Sequence, residues 1–159
     1  MESGLFGLPV TLWYPTFAAI MFLITWTFVP RERVKCFFPY SIVFGVIPSW
    51  LFVLILQALG VFQYHHYGPF SLLGVPFLLC LAWSVAVIIF LHFLPPLKSG
   101  PLFHWGYITG ISLIGAMVES MSSHIGIHEF IHWSSLARFI TGFIWFTLIA
   151  AYYRKYGIE

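Results

Sequence analysis

Charge is what this chain has least of. Only 8% of its 159 residues are Asp, Glu, Lys or Arg, Asp is absent, and the 62 residues between Lys35 and Lys98 contain none of the four. No soluble domain leaves so long a stretch uncharged, so the chain belongs in a membrane. Cysteine is scarce too: Cys36 and Cys80 are too few for a disulfide framework. The net charge of +2 gives no case for a nucleic-acid partner. There is no Gly-rich phosphate loop, nucleophile elbow, CxxC pair or haem-binding CxxCH, so the usual sequence signs of nucleotide, acyl-transfer, thiol and haem chemistry are missing.

What is present is apolar: 60% of the residues are hydrophobic and 21% aromatic. A spanning helix needs about 20 mostly apolar residues. The length therefore allows five spans with short loops, at about 12–29, 37–59, 72–94, 102–125 and 135–153. The expected fold is all-α: a polytopic membrane protein of five transmembrane helices in a single domain, with the lipid bilayer as its first partner. Met1 to Pro9 carry Glu2 and no Lys or Arg. A cleavable signal peptide starts with a positive region, so the run from Leu12 to Val29 is expected to be a retained helix. No lipidation motif is present.

Orientation follows from the positive-inside rule. Arg31, Arg33, Lys35, Lys98, Arg154 and Lys155 all fall at one face, which places the N-terminus outside and the C-terminus in the cytoplasm. Trp13, Tyr14, Tyr64, Tyr67 and Trp133 would form an outer aromatic belt. Pro48 inside span 2 should kink it and free a carbonyl that a neighbour must cover. Gly106 and Gly110 in span 4 have the small-xxx-small spacing that lets two helices approach closely, within the bundle or in a homo-oligomer.

The segments 59–67 and 125–133, 66 positions apart, align with Gly60 on Gly126 and His66 on His132. Each joins an outgoing span to an incoming one. The chain would then be one helix plus two repeated helical hairpins about a pseudo-two-fold along the membrane normal, as some transporters are.

Glu119 is the single acidic residue inside a span, and Arg138 the single cation on the outer half. The turn between spans 4 and 5 centres near Glu129, so the two should lie at similar depth. An intramembrane ionisable pair is a functional site by default; the plainer reading is a structural pin between two helices. Near the same outer end lie Tyr64, His66, His132 and Trp133. Together with Glu119 and Arg138 they make up the expected ligand-binding set.

His128-Glu129-Phe130-Ile131-His132 is a literal HExxH. On a helix its two histidines would share a face and ligate zinc while the glutamate activates water, with His124 as a candidate third ligand. Gly126 and the Ser134-Ser135 cap argue for a turn instead. Zinc enters only with that alternative, and the leading reading needs no cofactor.

With the spans placed, the pattern resembles a group of uncharacterised five-helix membrane proteins of spore-forming Gram-positive bacteria. The resemblance rests on Leu12-Trp13-Tyr14-Pro15, Val29-Pro30-Arg31, Leu73-Gly74-Val75-Pro76-Phe77, Leu81-Ala82-Trp83, the Gly126-to-Trp133 turn and Tyr152-Tyr153-Arg154-Lys155. It implies the bacterial cytoplasmic membrane and brings no assigned activity. The stretch from Gly74 to Trp83 is also similar to one in membrane carotenoid-pathway enzymes, which depend on intramembrane acidic residues; here Glu119 alone is available. The expected function is non-enzymatic binding of a lipid-like or small amphipathic ligand, or of a partner helix, at an outer polar site. The alternatives are a small transporter, a membrane metallohydrolase and an isoprenoid-modifying enzyme.

Overall fold

The computed structural model describes residues 12–65 and 71–157. It is mostly helical, with five helices: α1 (Trp13–Phe28), α2 (Arg31–Ala58), α3 (Phe77–Phe93), α4 (Pro101–His124) and α5 (Ser135–Tyr156). Four short strands, β1 (Phe62–Tyr64), β2 (Ser71–Leu72), β3 (Val75–Pro76) and β4 (His128–Phe130), complete it. Three helices, α2, α4 and α5, are long and apolar enough to cross a membrane, at 28, 24 and 22 residues. The apolar helices α1 and α3 are shorter, at 16 and 17 residues.

Two expected boundaries move. The basic segment Arg31 to Lys35 is the first turn of α2 and not a loop, with Pro30 immediately before it, where a missing N–H costs nothing. Residues 72 to 76 do not open the third helix. They form the β2–β3 hairpin, with Leu73 and Gly74 both at positive φ (54° and 77°), the geometry of a two-residue primed turn. The helix begins only after Pro76. Apolar composition alone cannot distinguish these five residues from helix.

Helix α3 is the hub. Nine of its 17 residues are buried, which is why it reads as apolar all round. It packs against α1 and α2. Gly45 of α2 meets it so closely that a Cβ there would strike the backbone of Ser84. Helices α4 and α5 pack on each other, with Gly142 against Ser112. Gly106 and Gly110, the expected close-approach pair, face open space and meet no helix among the described residues.

The turn of α2 at Ile42–Val46 is a π-helix that precedes Pro48. Proline has no N–H for the carbonyl four residues earlier, here Phe44. Trp145 of α5 covers it, donating its indole N–H to the Phe44 oxygen at 3.0 Å. The kink thus ties α2 to a helix 101 residues away.

The ends of α2 and α4 close in the same way. Gly60 (φ 65°) and Gly126 (φ 76°) follow the two helices. Gly60 N–H bonds Gln57 O at 3.0 Å and Val61 N–H bonds Leu56 O at 2.9 Å; Gly126 N–H bonds Ser123 O at 3.0 Å and Ile127 N–H bonds Ser122 O at 3.0 Å. This is the Schellman pattern, twice, in which a left-handed glycine turns the chain back. The two turns then pair with each other as β1 and β4, antiparallel, with Phe62 opposite Phe130, Gln63 opposite Glu129 and Tyr64 opposite His128. His65 N–H donates to Ile127 O at 2.8 Å, and 66 residues on Ile131 N–H donates to Val61 O at 3.1 Å.

Tyr14 and Tyr64 were expected in an interfacial belt. Instead both are buried, 2% and 5% exposed. Tyr14 donates its hydroxyl hydrogen bond to His65 O at 2.8 Å, with Ile127 O at 3.2 Å from the same oxygen. One side chain of α1 therefore fastens both turns. Around them gathers one core cluster (Val53, Leu56, Phe62, Val75, Leu79, Cys80, Ile127). A second fills the opposite end (Phe37, Ile88, Phe90, Ile108, Phe146, Ile149).

Candidate functional site

Glu119 lies on α4 and Arg138 on the first turn of α5. Ser134 caps α5 by accepting from the Ala137 N–H at 3.1 Å, which fixes where that first turn starts. Arg138 Nε then meets Glu119 Oε2 at 2.8 Å, and the side chains are only 13% and 14% exposed. The guanidinium carbon stands 4.7 Å from the centre of the Trp83 ring of α3, a cation–π contact. Its Nη1 and Nη2 atoms hydrogen-bond to no described residue.

The pair is not sealed. It borders a partly open cavity of about 100 Å³ between α2, α3, α4 and α5, with β1 and Trp133 adding to the wall. Phe44, Phe52, Trp83, Trp133, Trp145 and Phe146 supply aromatic walls, and Ser49, Ser112 and Thr141 bring hydroxyls to it. Those hydroxyls are already donating to their own helices: Ser49 to Gly45 O at 2.6 Å, Ser112 to Ile108 O at 2.7 Å, Thr141 to Ala137 O at 2.8 Å. They offer the cavity lone pairs and no free hydrogen.

Of the expected ligand-binding set, the structure brings Glu119, Arg138, Tyr64 and Trp133 to this cavity. His132 is exposed on the turn and outside the wall, and His66 lies outside the described residues. Burial first, and the Glu119 charge second, push the Tyr64 phenol well above its usual value, so it keeps its proton and can donate. Sequence reasoning missed Trp83 and Trp145. The freed carbonyl at Phe44 did call for a donor from another helix, which is the one signal that pointed to Trp145.

The HExxH segment is not helical. His128, Glu129 and Phe130 are strand β4, where neighbours alternate sides. His128 turns inward and is 3% exposed, while Glu129, His132 and His124 are exposed. The helical face needed to put two histidines on one metal does not exist here. Among the described residues, no group of three His, Cys, Asp or Glu is arranged to hold a metal ion.

His128 is itself unusual. It packs edge-on or tilted among Phe62, Tyr64 and Phe130, with ring centres 6.3, 5.2 and 4.8 Å away. Neither ring nitrogen has a hydrogen-bond partner among the described residues. Burial, then the charges of Arg138 and His65, pushes its pKa down to about 4, so the ring is neutral at physiological pH. Beside it a void of about 10 Å³, bordered also by Glu119 and Tyr64, is about the size of one water.

No protein-family model, curated protein or solved structure matches the chain.

Proposed function

We propose that this is a multi-pass protein of the bacterial cytoplasmic membrane that binds a small amphipathic ligand in the cavity beside Glu119 and Arg138. All five helices span, with α1 and α3 shorter because they serve a kinked bundle, and the N-terminus lies outside. One observation carries the binding function: an intramembrane ion pair borders an open space and not a packed wall. A pair that only pinned α4 to α5 would have no need of that space.

The matched turns support reading α2–α3 and α4–α5 as copies of one hairpin. The alignment by 66 residues reproduces the closing hydrogen bonds of both helices, and Gln63 opposite Glu129 is the register a two-fold axis through that pair would generate. In this alignment Val53 corresponds to Glu119, and both line the cavity. The hairpin thus closes with an aliphatic residue where the second copy carries a carboxylate. That favours a ligand role for Glu119 over a folding one.

The alternatives have less behind them. A transporter needs a polar path, and these walls are largely apolar, with the Ser49, Ser112 and Thr141 hydroxyls engaged. A metallohydrolase would need HEFIH on a helix. An isoprenoid-modifying enzyme would have to work with Glu119 as its one acid of this depth.

Purified protein in lipid nanodiscs, analysed by native mass spectrometry, tests the binding function. A co-purified or added amphiphile is expected to bind at one per chain and to be lost in Ala116→Phe, since Ala116 lines the cavity and a phenyl ring there would fill it; equal retention by that variant would refute the site. For orientation, Cys36, which is exposed near the start of α2, is expected to react with a membrane-impermeant maleimide in inverted vesicles and not in intact cells. The reverse pattern would overturn the topology.

A further inference from the structure

We infer that the cavity selects a neutral, hydroxyl-bearing amphiphile with an apolar end about the size of one ring, in preference to an anion or a cation; this rests on the binding function proposed above. The charge balance of the site comes first. Glu119 and Arg138 cancel, and the remaining walls carry no formal charge. An anionic headgroup drawn to Arg138 would leave the cavity at net −1, and a cationic one drawn to Glu119 would leave it at net +1. Either strands an uncompensated charge between apolar walls, the costly arrangement.

The hydrogen-bond inventory points the same way. An anion is held by several donors converging on it. Here Ser49, Ser112 and Thr141 have given their hydrogens to helix carbonyls, and Trp145 has given its N–H to Phe44 O. The indole N–H groups of Trp83 and Trp133 are engaged by no described residue, but an anion held by them would lie in the same cavity as the Glu119 carboxylate, which repels it. The guanidinium, by contrast, still has Nη hydrogens without a described partner, and only Oε2 of Glu119 is engaged by Arg138. A group that donates to the carboxylate and accepts from the guanidinium satisfies both without altering net charge. An alcohol does this with one oxygen, and Tyr64 can supply a second donor to it.

Size sets the body of the ligand. A cavity of about 100 Å³ is somewhat smaller than the roughly 150 Å³ apolar cavity that takes benzene. Its Phe and Trp walls suit a ring or a short branched chain, and because the cavity is partly open the remainder of a larger ligand can project out of it.

Three probes of one shape separate the charges: 4-bromobenzyl alcohol, 4-bromobenzoate and 4-bromobenzylamine, titrated at pH 7.5 into the protein in nanodiscs. Bromine quenches tryptophan fluorescence, and Trp83, Trp133 and Trp145 line the cavity. Ala116→Phe provides the baseline for each probe's partition into lipid. Saturable quenching by the alcohol, at least tenfold tighter than by either ion, is the expected result. Glu119→Gln, nearly isosteric, leaves Arg138 unbalanced and is expected to shift the preference to the benzoate. Benzoate or amine binding the native protein as tightly as the alcohol would overturn the headgroup assignment while leaving the cavity function standing. An unchanged ranking in Glu119→Gln would overturn the assignment too. Saturable binding by none of the three would remove the cavity function with it.

Discussion

Replacing Glu119 with Leu is expected to cost about 3–5 kcal/mol of folding stability, the usual penalty for breaking a buried ion pair from one side. Arg138 would keep its charge, its place over Trp83 and no carboxylate. It is only 13% exposed, so its guanidinium would be left largely buried without a counter-charge. The double variant Glu119→Leu with Arg138→Leu is the informative comparison. Removing both charges leaves apolar groups beside an already apolar wall, and such exchanges are commonly neutral or stabilising. Equilibrium unfolding in mixed micelles is therefore expected to show a large loss for the single variant and recovery of most of it in the double, with ligand binding lost in both. If the double variant is as unstable as the single, the pair serves folding, and the argument from Val53 at the corresponding position fails.

The residues of the site differ widely in how far the sequence discloses them. Glu119 and Arg138 could be brought together from sequence because both lie on antiparallel helices around a short turn, so helical rise alone matches their depth. The positive-φ glycines at 60 and 126 were equally readable, since a helix that ends on glycine turns left-handed there. What was not readable is non-local. Strand β4 exists because β1, 66 residues earlier, supplies its hydrogen-bond partners, and nothing within His128 to His132 announces that. An i, i+4 histidine spacing implies a shared face only if the backbone is helical. Likewise no periodicity says which aromatic residues of a uniformly apolar helix leave a gap between them. The wall made by Phe44, Phe52, Trp83 and Trp145 emerges from a kink, a covered carbonyl and the crossing of four helices. Even the interfacial expectation for Tyr14 failed for this reason: its phenol reaches two carbonyls that only the paired turns bring together.

The pairing of the turns also leads to the second large effect, which is on pH dependence. His128 faces inward from β4 with neither nitrogen partnered among the described residues and its pKa held near 4, against about 6.5 for an unfolded histidine. As pH falls below about 6.5 the unfolded chain takes up this proton and the folded one does not, so acid favours unfolding. Above about 6.5 the residue contributes no slope. Between about 6.5 and 4 it is expected to remove about 3 kcal/mol of stability, and below about 4 the slope levels off because both states are then protonated. The groups near the ring are Arg138 from α5, His65 after β1, Tyr64 on β1 and Glu119 on α4. Of these, His65 is the other histidine beside the ring, and His65→Gln provides the control for its share. His128→Phe keeps an aromatic ring among Phe62, Tyr64 and Phe130 and removes two unsatisfied nitrogens. It is expected to abolish most of the acid slope and to raise stability at pH 7.5 by about 1–3 kcal/mol, the cost of an unmade buried hydrogen bond. Unfolding curves collected from pH 4 to 8 decide the matter. A native protein whose stability is flat from pH 6.5 to 4.5, or a His128→Phe variant less stable than native at pH 7.5, would mean that the ring has a partner, and a water in the adjoining void is then the first candidate for it.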